Sequence, residues 1–148
     1  VKKWTAGVDL FKKKYALLPI NEDHHWYLVL ITNLNSCIPK GHQSNQNRNN
    51  INTSEEPTEF KKSTIYVLDS LHGKHTKCIK NIIKYLRMEA KHKRDVDLES
   101  FINPVTEYPL VPRQKNYYDC GIYILHFAEL FTLNPQKFIE ALNVSIYK

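Results

Sequence analysis

The apolar positions of this chain fall into short strand-like runs and helical periods, separated by polar and proline-bearing breaks. Tyr15–Ile20 reads as a strand ending near Pro19, and Asn21–Asp23 as the turn that follows. His24–Ile31, HHWYLVLI, is aromatic and β-branched and long enough for a buried strand. Neighbouring strand residues point to opposite faces, so His24 and His25 cannot serve one site together. Thr64–Leu68 predicts another strand, with Asp69 and Ser70 at its end. Cys78–Lys91 places Ile79, Ile82, Ile83 and Leu86 at helical spacing with basic residues opposite, and Lys91–Asp97 reads as a charged, solvated end. Phe101–Val111, broken by Pro104 and Pro109 with Pro112 just beyond, reads as loop with at most a short edge strand. Gly121–Leu133 is apolar with a helical period. Pro135–Ile146 predicts a last helix, with Asn134 as N-cap and Phe138, Ile139, Leu142 and Ile146 inward. Val1–Phe11 reads as a short helix or turn leading in.

One stretch has a different texture. Asn33–Lys62 is dominated by Asn, Gln, Ser and Lys, and residues 39–59 read as a flexible polar insertion that lacks the apolar side chains to offset its ordering entropy. Hydrophobic strands flank it on both sides, so it reads as a loop within one domain spanning residues 1–148. The 148 residues, 42% hydrophobic and 24% charged, are enough for one core. No apolar run reaches the length of a membrane span. The start of the sequence carries no apolar signal region. Cys37, Cys78 and Cys120 are odd in number and far apart, which argues against a disulfide framework and for a reducing, intracellular setting. The net charge of +6 permits an acidic partner without choosing between a nucleic acid and a protein.

Four polar residues sit where elements begin or end. Cys120 precedes Gly121 and an apolar helix, and a helix N-terminus favours a thiolate. His25 opens an apolar strand and offers a base; Asp69 closes another and can fix an imidazole. Gln114 lies in the loop before Cys120 and can donate to an oxyanion. Each alone has a plainer explanation: a packed core thiol, a half-buried histidine, a turn aspartate, a loop amide. Their order carries the chemistry, since Asp69 follows His25 by 44 residues and Cys120 follows Asp69 by 51.

His25-Trp26, Val67-Leu-Asp-Ser-Leu71 and above all Pro112-Arg-Gln-Lys-Asn-Tyr-Tyr-Asp-Cys-Gly121 resemble the three motifs of the SUMO-specific (Ulp/SENP) cysteine proteases. The resemblance runs from about Trp4 to Leu133. It implies an α+β, papain-like fold of the adenain/Ulp clan, a central mixed or antiparallel sheet flanked by helices. It implies Cys120 as nucleophile, His25 as base, Asp69 as the orienting carboxylate and Gln114, with the Cys120 N–H, as oxyanion donor. Trp26 would wall a narrow tunnel over the Gly-Gly tail of SUMO. Expected partners are SUMO, SUMO-conjugated proteins and poly-SUMO chains, with a monomeric enzyme, no cofactor and a nuclear location. Val1–Glu22 and the polar insertion resemble the branch that trims poly-SUMO chains. The family's Trp-Leu-Asn-Asp motif and its helices have no counterpart in Val1–Asp9, so the chain reads as the C-terminal portion of a catalytic domain, incomplete at its N-terminus.

Three alternatives stay open. The first is a protease for another ubiquitin-like modifier such as NEDD8, and the second a catalytically impaired SUMO-binding module. The third is nucleic-acid binding through Lys77, Lys80, Lys84, Arg87, Lys91 and Lys93, which lacks a recognised binding motif. A zinc site is not expected: His72 and His75 are three apart, but no CxxC occurs and the cysteines lie about forty residues apart.

Overall fold

The computed structural model describes residues 5–42 and 62–146. Most of the polar insertion expected at 39–59 lies outside the described residues. Four strands form one mixed sheet in the order β1-β2-β3-β4: β1 Tyr15–Glu22, β2 His25–Thr32, β3 Thr64–Leu68 and β4 Val105–Glu107. β2 runs antiparallel to both β1 and β3, and β4 joins β3 in parallel at the edge. Pro19 is tolerated because β1 is the opposite edge strand and does not need every N–H for a ladder. Three α-helices follow: α1 Thr76–Arg94, α2 Cys120–Leu133 and α3 Pro135–Ile146.

β1 runs past Ile20 to Glu22, further than its apolar residues indicate, because Asn21 and Glu22 pair with Trp26 and His25 across the hairpin. The turn is left to Asp23 and His24, both at positive φ (52° and 63°). Two positive φ values in a two-residue loop match the twist of the flanking strands. His24 thus belongs to the turn, and β2 starts at His25.

Side-chain alternation then divides the core. On one face Tyr27, Val29 and Ile31 of β2 and Ile65 and Val67 of β3 meet Ile79, Leu86 and Ala90 of α1, with Phe11 beside them. On the other, Leu28, Leu30, Tyr66 and Leu68 meet Phe127 and Phe131 of α2 and Leu142 of α3. Burying a side chain such as Phe131 contributes roughly 1.5–3 kcal/mol over leaving it exposed. Phe138, Ile139 and Ile146 pack against this second layer as expected, and Tyr66 donates to Asn143 Oδ1 at 2.8 Å, tying α3 to β3. Asn134 caps α3 by accepting from the Lys137 N–H at 3.0 Å. The outer side of α2 is also apolar, with Ile122, Leu125 and Leu133 exposed.

The charged stretch after Lys91 is less solvated than its composition predicts. α1 continues to Arg94 and Val96 is fully buried. The Lys93 ammonium lies 2.6 Å from Glu89 and donates to the Thr5 and Val8 carbonyls, while Arg94 meets Asp9 at 2.6 Å. These bonds hold the entering segment, with its 3₁₀ turn Leu10–Lys12, on α1.

Candidate active site

His25 and Asp69 meet because of strand register. Leu28 stands opposite Leu68 in the antiparallel register, so Asp69, one residue past β3, lies abreast of Tyr27 and diagonal to His25 on the same face. His25 Nε2 is 2.6 Å from Asp69 Oδ1. That leaves Nδ1 as the ring nitrogen facing away from the carboxylate. Asp69 is 3% exposed and is held from several sides. Oδ1 also accepts from the Leu71 N–H at 2.8 Å, and Oδ2 from the Gly73 N–H at 2.6 Å. Burial pushes the Asp69 carboxyl up, but the N–H donors of Leu71, His25, His75 and Gly73 outweigh it and hold the group below its ordinary value. The carboxylate stays ionised beside the imidazole, as an orienting group must.

Cys120 is the first residue of α2 and is 4% exposed. The loop before it is set by Asn116. Its Oδ1 accepts from the Tyr118 and Asp119 N–H groups at 3.1 and 3.0 Å, and its Nδ2 donates to Asp119 Oδ2 at 2.6 Å. The Asp119 carbonyl receives the first helical bonds, from Ile122 and Tyr123 at 2.9 and 3.2 Å. The N–H groups of Cys120 and Gly121, at the first two helical positions, have no intrahelical acceptor and point toward the helix entrance. A Cβ on Gly121 would meet nothing within 4 Å, so this side of Cys120 is open. The other two thiols sit elsewhere. Cys37 is fully buried, and burial pushes its thiol up; Cys78 lies on α1, packed against the first core layer.

Gln114 is buried at 4% and is carried to the end of β3 by Ser70. Its N–H donates to the Ser70 carbonyl at 3.0 Å, and its Oε1 accepts from Ser70 Oγ at 2.6 Å. Nε2 donates to the Asn116 carbonyl at 2.6 Å, which occupies one of its two N–H groups. Trp26 follows His25 but belongs to the opposite face of β2, and it is 40% exposed. The structure therefore brings His25 to Asp69 and ties Gln114 to the residue after Asp69. No hydrogen bond joins Cys120 to His25 among the described residues.

Glu22, Gly73 and His75 contribute without a local sequence signature, whereas Ser70 and Asn116 lie inside the motif stretches. His72 and His75 do not pair with each other. His72 Nε2 donates to the Val111 carbonyl at 2.9 Å, whereas His75 Nε2 lies 3.0 Å from Asp69 Oδ2. His25, Asp69 and His75 consequently present three potential metal-ligand atoms within 4.8 Å of one another, a grouping that the His72/His75 spacing does not foreshadow. Both Asp69 oxygens in it already receive N–H groups.

Comparison with known proteins agrees with this fold. The family described as "Ulp1 protease family, C-terminal catalytic domain" matches residues 1–145. Ubiquitin-like-specific protease 2 of Schizosaccharomyces pombe is 36% identical over 149 residues, covering 94% of this chain and 23% of that protein. Sentrin-specific protease 7 of Mus musculus is 29% identical over 177 residues, covering 91% of this chain and 17% of its own. A solved structure described as a de-sumoylating protease has a TM-score of 0.75 at 29% identity, covering 99% of this chain and 49% of that one. The chain thus spans about a quarter or less of these curated relatives and about half of the solved chain. With its α+β fold, its mixed sheet and its match over nearly the whole sequence, the chain belongs to the Ulp1 family of cysteine proteases, in their C-terminal catalytic domain.

Proposed function

We propose that this domain hydrolyses the amide or isopeptide bond after the Gly-Gly tail of SUMO, with Cys120 as nucleophile, His25 as base, Asp69 as its orienting partner and Gln114 as oxyanion donor. The observation that carries the proposal is the 2.6 Å contact of His25 Nε2 with a buried, ionised Asp69. This contact fixes the tautomer and turns Nδ1 to the task of taking the thiol proton. Cys120 Sγ attacks the carbonyl carbon, and the oxyanion is met by the Cys120 N–H and the second N–H of Gln114 Nε2. His25 returns the proton to the leaving amine. Water, deprotonated by His25, then attacks the thioester, the C–S bond breaks and the Cys120 thiol is regenerated. No step calls on a cofactor.

Trp26, exposed next to His25, suits a wall over a glycine tail, since a narrow aromatic channel admits residues without side chains. Poly-SUMO chains are the preferred substrate in this reading, on the strength of the resemblance to the chain-trimming branch, and a nuclear setting goes with it. Among the described residues no helix is long and apolar enough to cross a membrane.

The test is a SUMO whose C-terminus carries an electrophile, applied to the full-length protein. Wild type and Cys78→Ser should form a covalent adduct, and Cys120→Ser should form none while still binding SUMO. Labelling lost in Cys78→Ser but kept in Cys120→Ser would overturn the assignment. Parallel NEDD8 and ubiquitin probes read the modifier, with SUMO expected to label fastest.

A further inference from the structure

His75 has no part in the triad, yet its ring is largely enclosed, with a side chain 15% exposed. It stands just before α1 in a left-handed conformation (φ 46°) and lies flat on the ring of Tyr27, with centroids 3.7 Å apart and planes 12° from parallel. Its two ring nitrogens face two different carboxylates. Nε2 is 3.0 Å from Asp69 Oδ2, and Nδ1 is 3.1 Å from Glu22 Oε2. An ionised carboxylate only accepts, so each ring nitrogen has to donate, and an imidazole donates from both nitrogens only as the imidazolium. Glu22 Oε2 also accepts from the Tyr27 hydroxyl at 3.2 Å. Burial, followed by Cys78 and Glu22, pushes the Tyr27 phenol far up, so that ring stays neutral beneath the cation. Gly73 completes the enclosure. A Cβ there would lie 2.7 Å from His75 Nε2 and 2.8 Å from Asp69 Oδ2, so the loop can close over the pair only as glycine.

We infer that His75, as an imidazolium held by Glu22, is a positioning residue for the hydrolysis: it fixes Asp69 from the side opposite His25 and offsets part of its negative charge. This rests on the triad assignment above. The division of labour is visible in the carboxylate: Oδ1 serves His25 and the Leu71 N–H, while Oδ2 serves His75 and the Gly73 N–H. With both oxygens committed, the carboxylate cannot rotate away from His25. The charged and titratable groups around His75 are Glu22 from β1, His25 and Tyr27 from β2, Asp69 from the end of β3, and Cys78 of α1 behind Tyr27. Removing the His75 charge leaves Asp69 acting on His25 alone, which favours the protonated His25 ring.

Two measurements on the full-length protein test this. Long-range ¹H–¹⁵N spectra of the histidine rings at neutral pH should show both His75 nitrogens protonated; one unprotonated nitrogen would overturn the proposal. Hydrolysis of a SUMO C-terminal fluorogenic substrate, followed against pH, should show His75→Gln lowering kcat by ~10- to ~100-fold with KM little changed, the scale of a displaced catalytic group. The acid limb of its profile, where the His25 base becomes protonated, should move to higher pH, and Glu22→Gln should move that limb the same way by less. An unshifted limb with wild-type kcat in His75→Gln would also refute the idea, as would a loss of rate that follows melting temperature alone. Cys120→Ser separates the two readings: if it stays active the triad assignment fails, whereas the ring spectra report on His75 either way.

Discussion

Ser70 and Gln114 are joined twice, by the Gln114 N–H on the Ser70 carbonyl and by the Ser70 hydroxyl on Gln114 Oε1. The clasp brings the loop before Cys120 against the end of β3, one residue from Asp69. The Asn116 carbonyl, which can only accept, settles the amide orientation: it takes an N–H of Nε2 and leaves Oε1 for the Ser70 hydroxyl proton. Gln114→Ala should lower kcat on a SUMO substrate by ~10²- to ~10³-fold, the scale of one lost oxyanion donor. Ser70→Ala keeps the donor but strips the buried Oε1 of its partner. It should cost about 1–3 kcal/mol in denaturant unfolding and reduce kcat by less than Gln114→Ala does. Equal kcat losses in the two variants would show that Ser70 does more than hold the amide.

The buried Asp69 gives the domain an acid-side signature. Its carboxyl is held below its ordinary value in the folded state, so the folded protein binds this proton less readily than the unfolded chain. Stability from this group is therefore fully present above the unfolded value of about 3.9. It is lost as pH falls from there through the lower folded value. The stability difference between wild type and Asp69→Asn, followed by urea unfolding, should be flat from neutral pH down to about pH 5 and shrink below about pH 4. A difference that grew on acidification would contradict the sign.

Gly73 is the tightest point in the site. The methyl of Gly73→Ala has to displace His75, Asp69 or the loop itself, and the aspartate cannot move without losing His25. Overpacking of this kind costs roughly 1–3 kcal/mol. Activity should fall by more than stability alone accounts for. Gly121→Ala is the contrasting variant, since its methyl meets open space within the chain. It should melt close to wild type, and any loss of rate should appear with SUMO substrates rather than with a small thiol reagent.

The cap of α3 gives a prediction independent of the chemistry. Asn134→Ala removes the acceptor for the Lys137 N–H and should cost about 0.5–2 kcal/mol. Probe labelling of Cys120 should be unchanged at temperatures where the variant is folded.

How far each part could be read from sequence depends on whether its cause is local. β3 and α3 fall within their sequence-derived bounds because Thr64–Leu68 and Asn134-Pro135 carry their own signals: β-branched and aromatic residues in one case, a cap and a proline in the other. Cys120 at the head of α2 was legible for the same reason. The extension of β1 to Glu22 was not, since Asn21 and Glu22 are strand residues only through pairing with Trp26 and His25. The continuation of α1 from Lys91 to Arg94 likewise depends on partners at Thr5, Val8 and Asp9, about 85 positions away in sequence. His75 is the extreme case. A histidine before a helix has no signature of its own, and its role comes from Glu22, Tyr27 and Asp69, which three separate segments deliver.

The register of β2 and β3 has an evolutionary corollary. The connection between them leaves at Thr32 and returns at Thr64, where the Ser63 hydroxyl donates to the Thr32 carbonyl at 3.0 Å and the strands pair at once. His25 lies at the other end of β2, roughly 20 Å away at the rise of an extended strand. Alternating core residues on both faces fix the pairing, so residues can be added to the connection or removed from it without sliding Asp69 past His25. Over evolution a change of length in this connection would therefore be absorbed at the far end of the sheet, away from His25 and Asp69.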